Sequence, residues 1–76
     1  MSLEDLGNIG EFVAAVGVAA LAAGRYDDAE RAADAARALD PESPAVLSLL
    51  GRLHKARGRL DEALAAWERL IERLDP

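Results

Sequence analysis

Apolar residues recur along the chain with the spacing of amphipathic helices. The spacing is clearest near the end of the chain, where apolar side chains stand at positions i, i+3, i+4 and i+7. These residues are Leu60, Ala63, Leu64, Trp67, Leu70, Ile71 and Leu74. Such a broad stripe is typical of a helix that packs one face against its neighbours. The sequence has no strand-like alternation of useful length, and we predict an all-α fold.

Glycine and proline divide the helical pattern into four segments. Gly24 and Gly58 are able to take the left-handed backbone conformation that ends a helix. Ser43 followed by Pro44 is a preferred pair at a helix start, and the segment 8–11 has the form of a capping box. The predicted antiparallel helices span about residues 9–23, 26–39, 44–57 and 60–74.

Comparison of the chain with itself shows a repeat of 34 residues. The identical pairs are Gly17/Gly51, Ala22/Ala56, Gly24/Gly58, Arg25/Arg59, Asp27/Asp61, Ala29/Ala63 and Ala32/Ala66. The glycine pairs carry the most weight, because they recur where backbone geometry is restricted. A period of this length indicates stacked supersecondary units, each of which buries its apolar face against the next.

Composition limits the kinds of site that the chain can carry. The chain has 76 residues and no cysteine, and its one histidine, His54, cannot form a metal site alone. Disulfides and thiolate metal sites are therefore excluded, and a reducing compartment is compatible. Because a domain of this size buries little surface, we expect further support from a partner or from oligomerisation.

Charge and hydropathy limit the possible partners. The net charge of −5 argues against nucleic acid, because phosphate binding needs a positive field. The longest apolar run, residues 12–23, is too short to span a bilayer, and acidic residues precede it, unlike in a signal peptide. We therefore expect a cytoplasmic protein that does not bind membranes.

The sequence does not have the pattern of a catalytic site. His54 has no serine, cysteine or paired carboxylate at a useful spacing, and we interpret it as a side chain that fills space. The acidic pairs at 27–28 and 61–62 resemble metal ligands, but both stand at a helix start, where the helix dipole favours negative charge. We predict that the chain is not an enzyme and holds no cofactor or metal.

The two repeats share a pattern of small and bulky positions. The first contains Val16-Gly17, Ala20, Gly24-x-Tyr26-x-x-Ala29, Ala33, Ala36 and Pro41. The second contains Leu47, Leu50-Gly51, His54, Gly58-x-Leu60-x-x-Ala63, Trp67 and Leu70. This pattern resembles the tetratricopeptide repeat, a helix-turn-helix unit. The resemblance implies one domain, 1–76, that is a short α-solenoid of two hairpins, with repeats of about 10–43 and 44–76.

The resemblance also assigns packing roles to single positions. It implies that Gly17 lies where the two helices of a hairpin cross closely, against Ala29, and that Gly51 and Ala63 repeat this contact. Trp67 occupies the family's aromatic position and is expected to pack in the last hairpin.

The same resemblance implies a non-catalytic protein-interaction module, such as an adaptor, a scaffold or a small chaperone-like protein. In this family the first helix of each repeat lines a concave groove that holds a peptide. The groove positions here are Glu11, Ala14, Val18, Leu21, Ser48, Arg52 and Lys55. An apolar floor with a basic wall suits an amphipathic protein or peptide segment with acidic residues. The alternative, for the basic cluster Arg52, His54, Lys55, Arg57 and Arg59, is a solvated helix face.

A second functional hypothesis is self-assembly. Leu64, Trp67, Ile71 and Leu74 cover more of the fourth helix than one neighbouring hairpin can bury, and a large apolar patch is uncommon on a soluble monomer. We expect a homo-oligomer, most simply a twofold dimer through this patch. The expected rim is Arg69, Glu72 and Arg73. The alternatives are a contact through Phe12 and Val16 of the first helix, or that the chain is a piece of a longer array.

Overall fold

Four helices make up the described part of the protein. A computed structural model describes residues 3–74, with the side chains of residues 9–73. The helices are α1 (Leu3–Ala22), α2 (Tyr26–Leu39), α3 (Pro44–Ala56) and α4 (Leu60–Leu74). Residues 3–74 contain no strand. The all-α prediction is confirmed, and the ends of α2, α3 and α4 agree with it to within one residue.

The start of α1 differs from the prediction. The helix begins at Leu3, so the segment 8–11 lies inside it and is not a capping box at its start. Glycine and asparagine in this region lower helix propensity by at most about 1 kcal/mol each, and no proline interrupts the segment. The helical conformation therefore continues through residues that the sequence pattern had suggested as a boundary.

The turns after α1 and α3 have the same hydrogen bonds and the same backbone conformation. Gly24 and Gly58 both have a φ of +78°, which is the left-handed region that glycine enters without steric cost. The bonds are Gly24 N–H to Leu21 O (3.0 Å), Arg25 N–H to Ala20 O (2.8 Å), Gly58 N–H to Lys55 O (3.0 Å) and Arg59 N–H to His54 O (2.8 Å). This pair of bonds is the Schellman motif, and it confirms the role predicted for both glycines.

The connection from α2 to α3 ends at the predicted Ser43–Pro44 pair. Ser43 is extended, with φ −64° and ψ 133°, and Pro44 is the first helical residue. The Ser43 hydroxyl makes no capping hydrogen bond, however, and its buried oxygen has no partner among the described residues. Ser43 therefore holds the position of a cap without the usual side-chain bond.

The core lies where α3 packs against the first hairpin. Helix α1 contacts α2 and α3, α2 also contacts α3, and among the described helices α4 contacts α3 alone. We call the packing of α3 on α1 and α2 the joint between the repeats. Its buried side chains are Ala14, Ala29, Ala33, Ala36, Val46, Leu49 and Leu53. The joint thus combines small residues from the first repeat with branched residues from α3.

Two glycines allow the closest helix approaches, although the neighbours differ from those expected. A Cβ atom at Gly17 would lie 2.6 Å from a Leu49 methyl group and 3.2 Å from the Ala32 Cβ. A Cβ atom at Gly51 would overlap the indole ring of Trp67, whose Cδ1 would be only 2.6 Å away. The nearest atoms therefore do not belong to Ala29 and Ala63, and Trp67 lies in the last hairpin, directly over Gly51.

Candidate partner-binding surfaces

The predicted groove positions divide into buried and accessible residues. Ala14 is 1% exposed and belongs to the core, so its side chain cannot form the floor of an open groove. Val18 and Leu21 are half-buried against the same core. Ala14 shares this core with residues of α2 and α3, and the alignment of the two repeats does not reveal that it is buried. Glu11, beside the predicted floor, is exposed.

The predicted basic wall lies on α3. Ser48 is half-buried, and Arg52 and Lys55 are exposed. Their spacing of three and four residues puts them on one stripe of the helix. Neither Arg52 nor Lys55 forms an ion pair within the part of the chain that the structure describes. Two cations on α3 are therefore available to an external group.

The other two arginines of the basic cluster are bound to α2. Arg57 Nη2 donates hydrogen bonds to Asp27 Oδ1 at 2.9 Å and to Glu30 Oε2 at 2.8 Å. The Arg59 guanidinium reaches Glu30 Oε1 at 3.5 Å. These bonds connect the turn after α3 to the first turns of α2 across the joint. Arg57 and Arg59 thus hold the two repeats together and are not part of a free basic surface.

Arg57 also lies over an aromatic ring. Its guanidinium carbon is 5.6 Å from the centre of the Tyr26 ring, within the range of a cation–π contact. The hydrogen bond to Asp27 is the main cause that raises the pKa of Arg57 above its usual value, and the charge of Glu30 adds to it. Because the pKa of Arg57 in the folded protein is above its usual value, the contact contributes fully to stability at any pH below that usual value. This contribution is lost only when the pH rises through the raised pKa. Arg57 therefore stays charged in this contact throughout the neutral range.

His54 and the acidic pairs have local roles. His54 is half-buried, and its Nδ1 lies 3.1 Å from Glu62 Oε2, at a distance for an ion pair but without hydrogen-bond geometry. Asp27 and Asp28 lie in the first turn of α2, and Asp61 and Glu62 lie in the first turn of α4. Among the described side chains, no group of three or more His, Asp or Glu residues is arranged to hold a metal ion.

The expected oligomer patch on α4 is largely exposed. Leu64 is 55% exposed and Ile71 is 65% exposed, as is Leu60 at 60%. Trp67 is half-buried by its contact with Gly51, and the side chain of Leu74 lies outside the described residues. We call the stripe of Leu60, Leu64, Trp67 and Ile71 the α4 end face.

Two residues of the expected rim are engaged within the chain. The guanidinium of Arg69 contacts the Glu42 carboxylate, and Arg73 Nε donates to Glu42 Oε2 at 3.3 Å. Glu42 lies in the connection between α2 and α3, so these bonds fix α4 to the middle of the chain. Glu72, the third rim residue, is exposed.

A second apolar surface lies on α1, on the side away from α3. Phe12 is 70% exposed and Val16 is 48% exposed, and the alanines that share their stripe are exposed as well. We call this stripe the α1 end face; it comprises Phe12, Ala15, Val16, Ala19 and Ala23. Beside it, Val16, Ala19, Ala20, Ala23, Arg25 and Asp28 line an open depression of about 420 Å³. The sequence suggested Phe12 and Val16 as a contact, but not the alanines, because alanine does not distinguish a core face from an exposed one.

Within the described residues, no helix has both the length and the apolar character that crossing a membrane requires. Comparison with curated proteins gave no match, and neither did comparison with solved structures. A family profile described as "Tetratricopeptide repeat" matches residues 15–76, which is most of the chain. The four helices, paired as two hairpins with the same turn, agree with this match. The chain therefore belongs to the tetratricopeptide repeat family.

Proposed function

We propose that this protein is a non-catalytic adaptor or scaffold that binds an acidic, amphipathic protein segment through α1 and α3. Tetratricopeptide repeats generally mediate protein–protein interactions, and the family is typically non-catalytic. The lack of cysteine is compatible with a cytoplasmic location, which is part of the proposal.

The observation that carries the proposal is the division of the basic cluster. Arg57 and Arg59 are bound to carboxylates of α2, whereas Arg52 and Lys55 are exposed and unpaired among the described residues. The net charge of the chain is −5, so two free cations on one stripe are a local exception. Charged groups of this kind increase association rate and specificity for a partner of opposite charge.

Apolar contacts are expected to come from α1. Val18 and Leu21 are only half-buried, and they take the α1 positions that correspond to Arg52 and Lys55 in the 34-residue register. Ala14 is excluded from this surface because it is buried. A partner helix with an apolar stripe and flanking carboxylates fits this combination better than an extended, uncharged peptide.

The test uses two synthetic peptides that differ only in charge. One is an amphipathic peptide with a leucine stripe flanked by glutamates, and the other has lysines in place of the glutamates. Fluorescence anisotropy should show binding of the glutamate peptide, weaker binding at higher salt, and little binding of the lysine peptide. Arg52→Glu with Lys55→Glu should reduce the affinity about tenfold or more, which corresponds to about 1.4 kcal/mol.

The matched control is Arg31→Glu with Arg37→Glu. Both residues are exposed on α2, and their contacts are local, to Asp28 and Asp34. This variant changes the net charge by the same amount as the α3 variant, so it separates a local contact from an effect of total charge. Equal loss of binding in the two variants, or equal binding of the two peptides, would contradict the proposal.

A second candidate function is self-assembly. Leu64 and Ile71 are more than half exposed on the α4 end face, and burial of such side chains is a general driving force for association. A twofold dimer through this face is the simplest form. Light scattering at increasing protein concentration tests this function, and a stable monomer at every concentration would exclude it.

A further inference from the structure

The α1 end face and the α4 end face include positions of the 34-residue repeat that are packed together in the joint. In the joint, α3 packs Val46, Leu49 and Leu53 against the first hairpin, with Leu50 at its edge. The 34-residue register relates these four residues to Phe12, Ala15, Ala19 and Val16. All four counterparts are exposed on the α1 end face. The face of α1 that corresponds to the most deeply buried face of α3 is therefore uncovered in this chain.

The same register applies to the helices that would cover these faces. Tyr26, Glu30 and Ala33 lie on the side of α2 that meets α3, since Glu30 and Tyr26 contact Arg57 and Ala33 is in the core. Their counterparts are Leu60, Leu64 and Trp67, which belong to the α4 end face. These three residues of α4 therefore correspond to the stripe by which α2 covers α3.

From these two correspondences we infer that a second copy of this chain docks head to tail, with the α4 end face of one copy covering the α1 end face of the next. This inference rests on the second candidate function, self-assembly, and specifies its geometry. The internal joint supplies the template: α4 would meet the α1 of another copy as α2 meets α3 within the chain.

Volumes at the two ends support this pairing. In the joint, small Ala33 on α2 lies in one core with Leu49 and Leu53 on α3. At the ends, the corresponding residues are Trp67 on α4, opposite Ala15 and Ala19 on α1. The large residue stands on the other helix, so the summed volume of these three positions changes little, and Trp67 is only half-buried by its contact with Gly51. Close packing of apolar surfaces requires this kind of compensation.

One ion pair of the joint is also replaced as a pair. The joint contains a bonded pair of opposite charges, with Arg57 Nη2 at 2.8 Å from Glu30 Oε2. The register replaces Arg57 by Ala23 and Glu30 by Leu64, so an apolar pair takes the place of the ion pair. The other two ion contacts of the joint are not replaced as pairs, because Asp27 corresponds to Asp61 and Arg59 to Arg25. Both of these charges are exposed, so they can stay in water at the rim of the contact. Ala23 also lines the open depression beside α1, where the Leu64 side chain of another copy would lie.

The contact is heterologous, because two different faces meet. A docked pair leaves one α1 end face and one α4 end face free, so association continues into open chains unless the rotation closes a ring. A twofold α4–α4 dimer would instead stop at two copies. The two arrangements therefore predict different sizes and different behaviour of mixed variants.

The experiment uses two variants, each with one face blocked by a charge. Val16→Glu blocks the α1 end face and leaves α4 free, whereas Leu64→Glu blocks the α4 end face and leaves α1 free. Both residues are about half exposed, so both variants should fold, which circular dichroism would check; Ala19→Glu and Leu60→Glu provide a second pair. Leu39→Glu, at an exposed leucine outside both faces, is the control.

In sedimentation velocity, the wild type and Leu39→Glu should grow with concentration beyond twice the monomer mass or close into a ring. Each blocked variant alone should remain a monomer, and an equimolar mixture of the two should form a one-to-one complex. The association should change little with salt, unlike the proposed peptide binding.

Other outcomes contradict the inference in different ways. If Val16→Glu alone forms dimers and Leu64→Glu does not, the α4 faces pair with each other, and self-assembly stands while the head-to-tail geometry falls. If Leu64→Glu alone forms dimers, the α1 faces pair with each other, with the same consequence. A wild type that is monomeric at every concentration overturns both self-assembly and this geometry, and leaves the peptide-binding proposal untouched.

Discussion

Replacement of Gly51 by alanine tests the closest helix contact in the protein. A Cβ atom at this position would lie 2.6 Å from Trp67 Cδ1 and 2.7 Å from Cε2. The ring nitrogen Nε1 would be nearer still, and ordinary contacts are about 3.5–4.0 Å, so the indole ring would have to move by more than about 1 Å. Overpacking of this kind typically destabilises by about 1–3 kcal/mol. Alanine in a helix is favoured over glycine by about 1 kcal/mol, so the net loss should be up to about 2 kcal/mol.

The sign of this effect should reverse when the indole is removed. In a Trp67→Ala background no ring opposes the new methyl group, so only the helix propensity remains, and Gly51→Ala should stabilise by about 1 kcal/mol. The difference between the two backgrounds is the coupling energy of the pair, about 1–3 kcal/mol. A loss of 1 kcal/mol lowers the Tm of a domain of this size by about 4–8 °C, which is easily measured.

The assay is urea denaturation of the four proteins of the cycle, followed by far-ultraviolet circular dichroism because two of them lack tryptophan. Because Trp67→Ala itself weakens the domain, all four should be measured in the same concentration of sucrose, which strengthens burial in each of them. The reasoning is refuted if Gly51→Ala changes the free energy of unfolding by the same amount in both backgrounds.

Five further substitutions test three other features. Gly24→Ala should destabilise the domain by about 1–2 kcal/mol, because φ is +78° and alanine is strained there. Gly10→Ala, whose Cβ would be 3.6 Å from Leu39, should stabilise it by up to about 1 kcal/mol. Changes in Tm of the same sign for both substitutions would contradict this. Ser43→Ala should lower the free energy of unfolding by less than the ~1 kcal/mol usual for a helix cap, since the Ser43 hydroxyl has no partner among the described residues. A larger decrease in the free energy of unfolding, measured by urea denaturation, would contradict this. Arg57→Gln should lower the Tm more at low salt than at high salt, while Arg31→Gln should not, because Arg57, unlike Arg31, joins the turn after α3 to carboxylates of α2. Equal effects of the two substitutions would argue against an electrostatic contribution of Arg57 to the stability of the joint.

Local signals were sufficient to predict most of the fold. Gly24 and Gly58 end their helices in the predicted way because a left-handed residue is a requirement of the chain itself and not of its surroundings. Pro44 likewise fixes the start of α3. The start of α1 was missed because glycine and asparagine lower helix propensity without preventing a helix, so the capping pattern at 8–11 had no decisive weight.

Tertiary contacts determine the features of the candidate site that the sequence pattern did not predict. The basic cluster is one group along the chain. In the structure, Arg57 is bound to Asp27 and Glu30, which are 30 and 27 positions away in sequence, whereas Arg52 is not bound to any described carboxylate. Ala14 was assigned to the groove by its register, yet it is buried in the core with residues of α2 and α3. Such outcomes depend on how helices meet, which the apolar pattern of a single helix does not show.

Among the described helices α4 has one neighbour, α3, and this has a consequence for how the molecule opens. Helix α2 is held between α1 and α3, whereas α4 rests on α3 and on the bonds from Glu42. In a nearly one-dimensional stack, the terminal element detaches at a lower free energy than the elements inside. Amide hydrogens of α4 should therefore exchange through partial opening, and those of α3 only when the whole domain unfolds. Any molecule that covers the α4 end face would slow exchange in that helix in proportion to the strength of binding, so local protection of α4 becomes a direct measure of association.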